Sequence, residues 1–274
     1  MKRVASILLV GVLSCQARAE LVVELPDLEA AASSVTLEDH ETHIEKVSRG
    51  TNRVTKVPVV PYQAGHVVPE KGLMWSGLVE PGAKSAEDVE GLHAVADRFG
   101  RAGYAREHGQ SGAIVEWPIV SDSDSLKALT ISFWCRTYYR NPEQVVLRLL
   151  DDSDAEALCV SLSRGRLPRV TVKSVQGKAL SAVGVAPVAD YQWHHVVVVY
   201  SETGLSISVD GKVKSRTEWR LPIRPFSVVS VGGAGDARHY HGVLDDIRIY
   251  DRVLTAEERE QLFREGGWSG SAAR

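Results

Sequence analysis

The chain has 274 residues, 44% of them apolar and 24% charged, the proportions of an ordinary globular protein. Its 32 basic and 35 acidic residues leave a net charge of −3, too small a balance to give an electrostatic footprint for nucleic acid or an anionic membrane surface. The length accommodates a single β-sandwich of about 190 residues plus extensions.

Lys2 and Arg3 precede an apolar run from Val4 to Leu13, too short to span a bilayer, and Ala17-Arg18-Ala19 then offers an A-x-A cleavage site before Glu20. Residues 1–19 thus read as a signal peptide and the protein as exported, secreted or otherwise extracytoplasmic. The competing reading takes Val12-Leu13-Ser14-Cys15 as a lipoprotein box, with an acyl anchor at Cys15. No other apolar run is long enough to cross a membrane. Residues 20–70 form an N-terminal extension. Apolar residues from Leu25 to Lys46 are poorly spaced for a helix, and Pro58, Pro61 and Pro69 mark an extended linker.

From about residue 71 the pattern is that of a β-protein. The first strand is expected near Leu73-Met74-Trp75. Others are expected at Ala113 to Trp117, Ala128 to Tyr138, Gln144 to Leu150, Ala157 to Ser163, Arg169 to Ser174 and Phe226 to Val231, each bounded by Gly, Pro, Asp or Ser. Cys135 and Cys159 remain once a leader is removed, and an oxidising compartment allows a bridge between them. Alternation opposes the bridge, since Cys135 shares a face with Ile131 and Phe133 while Cys159 lies opposite Leu158, Val160 and Leu162. The disulfide and two separate thiols both stand.

The stretch Tyr191 to Arg216 holds two hairpin signals back to back. Val196 to Val199 are β-branched without interruption, which places the strand His194 to Tyr200 inside a sheet. Leu205, Ile207 and Val209 alternate with serines, and Asp210-Gly211 supplies the positive φ angles of a two-residue type I′ turn. That turn pairs Ser208 with Val213, which sets an apolar residue on the serine face. A closing strand follows at Gly242 to Tyr250. One helix is expected after it, with Thr255 and Glu258 at capping-box spacing and Gly266-Gly267 at its end. Residues 266–274 are a tail.

Several of these segments carry the words of a family. Arg98-Phe99-Gly100-Arg101-Ala102 with Gly112 to Val115, then Leu129 to Trp134, then Trp193-His194-His195-Val196 with Val209 to Lys212, and finally Gly242 to Tyr250 with Leu254 to Glu258, occur in order. Together they resemble the laminin-G-like jelly-roll domain of the concanavalin A-like lectin/glucanase superfamily. The resemblance implies a two-sheet antiparallel jelly-roll sandwich over residues 71–265, with a short C-terminal helix. Taken with the leader, and with the lack of an acidic catalytic strand described below, the reading is an exported, non-catalytic module that binds a glycan (carbohydrate binding) or a protein surface, or serves as a structural part of a cell-envelope assembly. The alternative is a glycoside hydrolase of the glucanase type.

Retaining glucanases need two carboxylates roughly 5 Å apart on one strand face. The nearest alternation is Asp152, Asp154 and Glu156, which falls between two apolar strands where a polar turn is expected. No catalytic residue is therefore assigned. His194 and His195 point to opposite faces and cannot share an ion, whereas His239 and His241 share a face near Asp236 at zinc-compatible spacing. Tyr138, Tyr139, Trp219 and Tyr240 sit at strand ends or in loops, where an aromatic ring can stack on a sugar or pack inward. Asp245 is the candidate metal ligand. The resemblance implies that the closing strand helps hold a structural Ca2+ against an N-terminal segment, here Ser85 to Gly91. Alternation puts Asp245 among Val243, Ile247 and Ile249, where a carboxylate needs a cation, backbone amides or an arginine.

Overall fold

The structure is a computed structural model and describes residues 68–77, 89–109, 112–119, 126–138, 143–163, 166–218, 221–235 and 238–268. The signal peptide with Cys15, nearly all of the extension and residues 269–274 lie outside the described residues, as do Ser85 to Asp88, Tyr139, Trp219 and Asp236.

In chain order the strands are β1 Leu73–Gly77, β2 Leu92–Val95, β3 Ala105–His108, β4 Val115–Pro118, β5 Ala128–Thr137, β6 Gln144–Leu150 and β7 Glu156–Ser163. Then come β8 Leu167–Lys173, β9 Ala179–Val183, β10 Trp193–Ser201, β11 Gly204–Val209, β12 Lys212–Thr217, β13 Val228–Val231 and β14 Gly242–Tyr250, followed by helix α1, Ala256–Phe263. The larger sheet runs β12-β11-β10-β5-β14-β3-β2, with β1 paired to β14, and the smaller runs β4-β13-β6-β7-β8-β9. Every pairing is antiparallel. This is the expected all-β, two-sheet sandwich.

Alternating residues of the two sheets build the core. Ile131, Phe133, Val196, Val198, Leu205 and Ile207 of the larger sheet meet Leu147, Leu149, Leu158, Val160, Val170 and Val172 of the smaller. As the unbroken valines require, β10 is internal, between β5 and β11. The Asp210-Gly211 turn is type I′: Asp210 has φ +50° and Gly211 +73°, and Val209 pairs with Lys212. Ser208 does pair with Val213. The ladder then slips by one residue, so that Ile207 faces Ser215, and the bulge corrects the phase the turn imposes. Thr255 caps α1 in a full capping box with Glu258.

Strands β2, β3 and β9 were not expected. They are short, and their charged or small residues (LHAV, AREH, ALSAV) give no clean period of two. Arg98 to Ala102, the first of the family-like segments, forms a turn between β2 and β3. Asp97 accepts hydrogen bonds there from the Phe99 and Arg101 amides, 2.9 Å each, and its second oxygen takes the Arg101 side chain at 2.7 Å. A buried carboxylate serving several local donors stabilises a turn over an extended chain. Cys135 points into the core and Cys159, on β7, to the opposite face of the smaller sheet; both thiols are free.

Candidate functional site

The outward face of the larger sheet is covered. Trp134, Trp193 and Val243 rise from β5, β10 and β14, and Phe99 and Trp268 close over them. The Trp134 ring stacks on His195, centroids 5.0 Å apart, and on Phe263 of α1 at 5.8 Å. His195 Nε2 bonds Ser132 Oγ at 2.8 Å. Burial first, then the Arg98 charge, lowers the pKa of this histidine to about 3, so it is a neutral packing residue.

Asp245 lies on this outward face, not in the inter-sheet core. The ladder between β14 and β5 slips between Asp245 and Arg248, and Asp246 takes a left-handed φ of +47°. One inserted residue reverses the alternation, so Leu244, Ile247 and Ile249 face inward, while Asp245 and Asp246 meet the Arg98 side chain and Arg248 pairs with Asp246. The bulge falls where β3, paired up to Leu244, gives way to β1, paired from Ile247. Arg98 enters that seam. It donates to Asp245 and Asp246 at 2.7 Å each, and its guanidinium covers the Phe99 and Trp134 rings at 4.6 Å. Glu265 pairs with Arg248 at 2.8 Å and lies 3.7 Å from Arg98.

Two guanidinium groups thus face three carboxylates. Burial and the adjacent Asp246 charge push Asp245 well above the usual carboxylate range, whereas Arg248 and Arg98 outweigh burial at Asp246 and hold it at about 2. The cation beside Asp245 is therefore an arginine, and a calcium ion would have to displace it. The donor set does not fit a metal: among the described residues no group of three or more His, Cys, Asp or Glu side chains is placed to hold one. Burial, and after it His241, lowers His108 at the end of β3 to about 4, and burial, then His239, lowers His241; the three histidines form no such group.

The acidic run Asp151 to Asp154 is a turn, and Glu156 opens β7. Asp151 accepts from the Ser153 hydroxyl at 2.6 Å, from the amides of Ser153 and Ala155 at 2.9 Å and from Arg224 at 3.2 Å, and these bonds, the hydroxyl's first, hold its carboxyl far below the usual range. Asp152 accepts from Ser227, and Asp154 is left-handed at φ +63°. They do not make a strand-borne catalytic pair.

The candidate binding site lies at the rim where β5 ends and β10 begins. Four non-glycine residues among those described have positive φ: Asp154, Asp210, Asp246 and Tyr191. Aspartate tolerates this region through local hydrogen bonds; a bulky tyrosine at φ +70° does not, and such strain costs on the order of 1 kcal/mol or more. The Tyr191 amide reaches Thr137 O at 3.3 Å, and its ring stacks on Tyr138 with centroids 6.1 Å apart and planes 15° from parallel. Both rings are half-buried. Arg136, on the strand below, donates to Tyr138 Oη at 3.0 Å and sits over the Trp193 ring at 5.3 Å.

On the far side of Tyr191, Asp190 Oδ1 accepts from the Gln192 amide and from His194 Nε2, each at 3.0 Å. His194 Nδ1 meets Asp210 Oδ2 at 2.8 Å, and Asp210 Oδ1 accepts from the His195 amide at 2.9 Å. Ring burial opposes a charge on His194, but hydrogen bonds and attraction to the two aspartates outweigh it and raise its pKa to about 9.

Of the aromatic candidates, Tyr138 is in this site. Tyr240 is fully buried, its hydroxyl bonded to Thr137 Oγ1 at 3.0 Å, and serves packing. Sequence reasoning missed Tyr191 and Arg136. The available signal was Asp190, an Asx-turn former two residues ahead of Gln192; nothing local marks a tyrosine for the left-handed region.

A family model described as the concanavalin A-like lectin/glucanases superfamily matches residues 109–258. No curated protein matches the chain. Among solved structures, the binding domain of Paraclostridial Mosquitocidal Protein 1 is similar with a TM-score of 0.53 and 16% identity, over 70% of this chain and 52% of that one. The binding domain of botulinum neurotoxin serotype D is similar with a TM-score of 0.57 and 10% identity, over 70% and 50%. A serotype D ligand binding domain in complex with N-acetylneuraminic acid gives 0.54 and 12%, again over 70% and 50%. At these identities the likeness concerns the fold, and the chain spans about half the length of those structures.

Proposed function

Since this chain belongs to the concanavalin A-like lectin/glucanases superfamily, we propose that it is an exported, non-catalytic binding module that recognises a glycan through the rim of its larger sheet. Residues 1–19 would direct export and 20–70 would link residues 71–265 to their surroundings. The observation that carries the reading is Tyr191, held in a strained left-handed conformation and stacked on Tyr138 at an accessible strand end. Backbone strain persists where the surroundings over-determine it, and such outliers cluster at ligand clamps. Paired aromatic faces beside hydrogen-bonding groups offer what a sugar ring presents in return, an apolar C–H face and a polar edge. Proteins of similar fold that bind ligands, including one solved with N-acetylneuraminic acid, support a binding role.

A glycan array tests this. The wild type should be retained by a restricted set of glycans, and Tyr138→Ala and Tyr191→Ala should each weaken that binding about tenfold or more. Variants that bind like the wild type would overturn the platform. Hydrolysis of a β-glucan by the wild type would favour a glucanase instead.

A further inference from the structure

We propose that His194 is the positioning residue of the tyrosine platform: its doubly hydrogen-bonded ring pins the loop carrying Tyr191, and loss of its proton releases that loop. The proposal rests on the reading that Tyr138 and Tyr191 form the binding surface. Two loops from different parts of the larger sheet converge on this one ring. Asp190, immediately before Tyr191, faces Nε2, and Asp210, in the β11–β12 turn, faces Nδ1.

Carboxylates accept and do not donate, so both contacts are hydrogen bonds only when both ring nitrogens carry hydrogen, that is, in the imidazolium. The neutral ring has one N–H. One aspartate would then face a nitrogen lone pair, a repulsive arrangement at about 3 Å. Asp210 is also tied to the His195 amide and donates its own amide to His195 O at 2.9 Å. Besides the histidine, Asp190 takes the Gln192 amide and its own backbone amide, contacts within its own loop, so the weaker anchor to the sheet is the one beside Tyr191.

Other groups around the ring leave the arrangement to these two aspartates. Cys135 on β5 is in register with His194, and burial pushes its thiol far above the usual range, so it is uncharged. Arg136 directs its guanidinium to Tyr138 and Trp193. The strain at Tyr191 gives the switch its consequence: a residue held at φ +70° relaxes once the Asp190–His194 bond that closes the loop across it loosens.

The test is an NMR titration of the full chain from neutral to alkaline pH. Long-range 15N spectra should show both His194 ring nitrogens protonated at neutral pH, and the Tyr191 and Gln192 amide resonances should follow the His194 curve as it deprotonates. In His194→Gln that inflection should vanish. In Asp190→Asn, which keeps a side-chain oxygen but removes one charge, the midpoint should move toward neutrality. A His194 carrying one proton at neutral pH, or amides that ignore its titration, would overturn the pin.

Binding is read separately, with a glycan retained by the wild type on the array. Its affinity should fall about threefold or more across the His194 midpoint, as expected if the competent loop becomes a minority state, and His194→Gln should lack this pH dependence. If the tyrosine variants abolish binding but wild-type affinity stays flat across the midpoint, the pin fails and the platform stands. If the tyrosine variants bind normally, the platform fails and the amide titration decides the pin.

Discussion

Replacing Arg98 tests the ion network directly. Its side chain is 1% exposed and within 3.7 Å of three carboxylates, two of them at 2.7 Å. Arg98→Leu preserves an apolar stem against Phe99 and Trp134 but takes away the ion-pair partner of Asp245, while Asp246 and Glu265 keep Arg248. Removing one partner from a buried pair costs about 3 to 5 kcal/mol, because the remaining charge can neither reach water nor find a counter-ion. Asp245→Asn is the informative contrast. Asp245 is the surplus carboxylate, pushed up by burial and by Asp246, so an amide of the same shape relieves repulsion while keeping an acceptor for Arg98, and the net cost should stay within about 1 kcal/mol. The double variant should recover about 1 kcal/mol or more of the Arg98→Leu loss, a coupling that independent sites would lack. Urea denaturation at neutral pH, with matched slopes for all four proteins, provides the free energies. An Arg98→Leu protein within about 1 kcal/mol of the wild type, or an Asp245→Asn protein as damaged as Arg98→Leu, would refute the charge accounting.

Other outcomes follow from the same structure. Gly211→Val should cost about 1 to 2 kcal/mol, because a β-branched residue resists positive φ and a Cβ there would come within 3.2 Å of Glu260 on α1; a melting temperature equal to the wild type would remove the turn from the argument. With Arg98 in the cation position, stripping metal with a chelator should leave the melting temperature unchanged, and a fall reversed by calcium would restore a metal at Asp245. His108 and His195 are buried with pKa values lowered to about 4 and about 3, chiefly by burial. Their unfolded forms take up protons first, so stability should fall as pH drops below about 6.5 toward those values; a melting temperature flat over that range would contradict the neutral assignments. In a protein beginning at Glu20, two thiols should react with a thiol reagent after unfolding and neither rapidly before, since both are buried and burial raises Cys159 to about 12; an intact mass lower by two hydrogens, restored by a reductant after unfolding, would reveal a bridge instead.

Local chemistry made much of the fold legible in the sequence. The unbroken valines of β10, the Asp210-Gly211 turn, the Thr255 and Glu258 capping box and the opposite phases of Cys135 and Cys159 all depend on residues a few positions apart, so period and turn chemistry suffice to read them. What tertiary structure decided lies where one strand changes partners or distant segments meet. Alternation predicts Asp245 beside Ile247 and Ile249. The exchange of β3 for β1 along β14 inserts a bulge there and turns the aspartate toward an arginine 147 residues away. Tyr191 meets Tyr138 across two paired strands, and His194 joins a loop to a hairpin turn. Neither contact leaves a periodic trace, because each is set by which strands lie side by side and where their ladders slip, quantities that exist only once the sheet has formed.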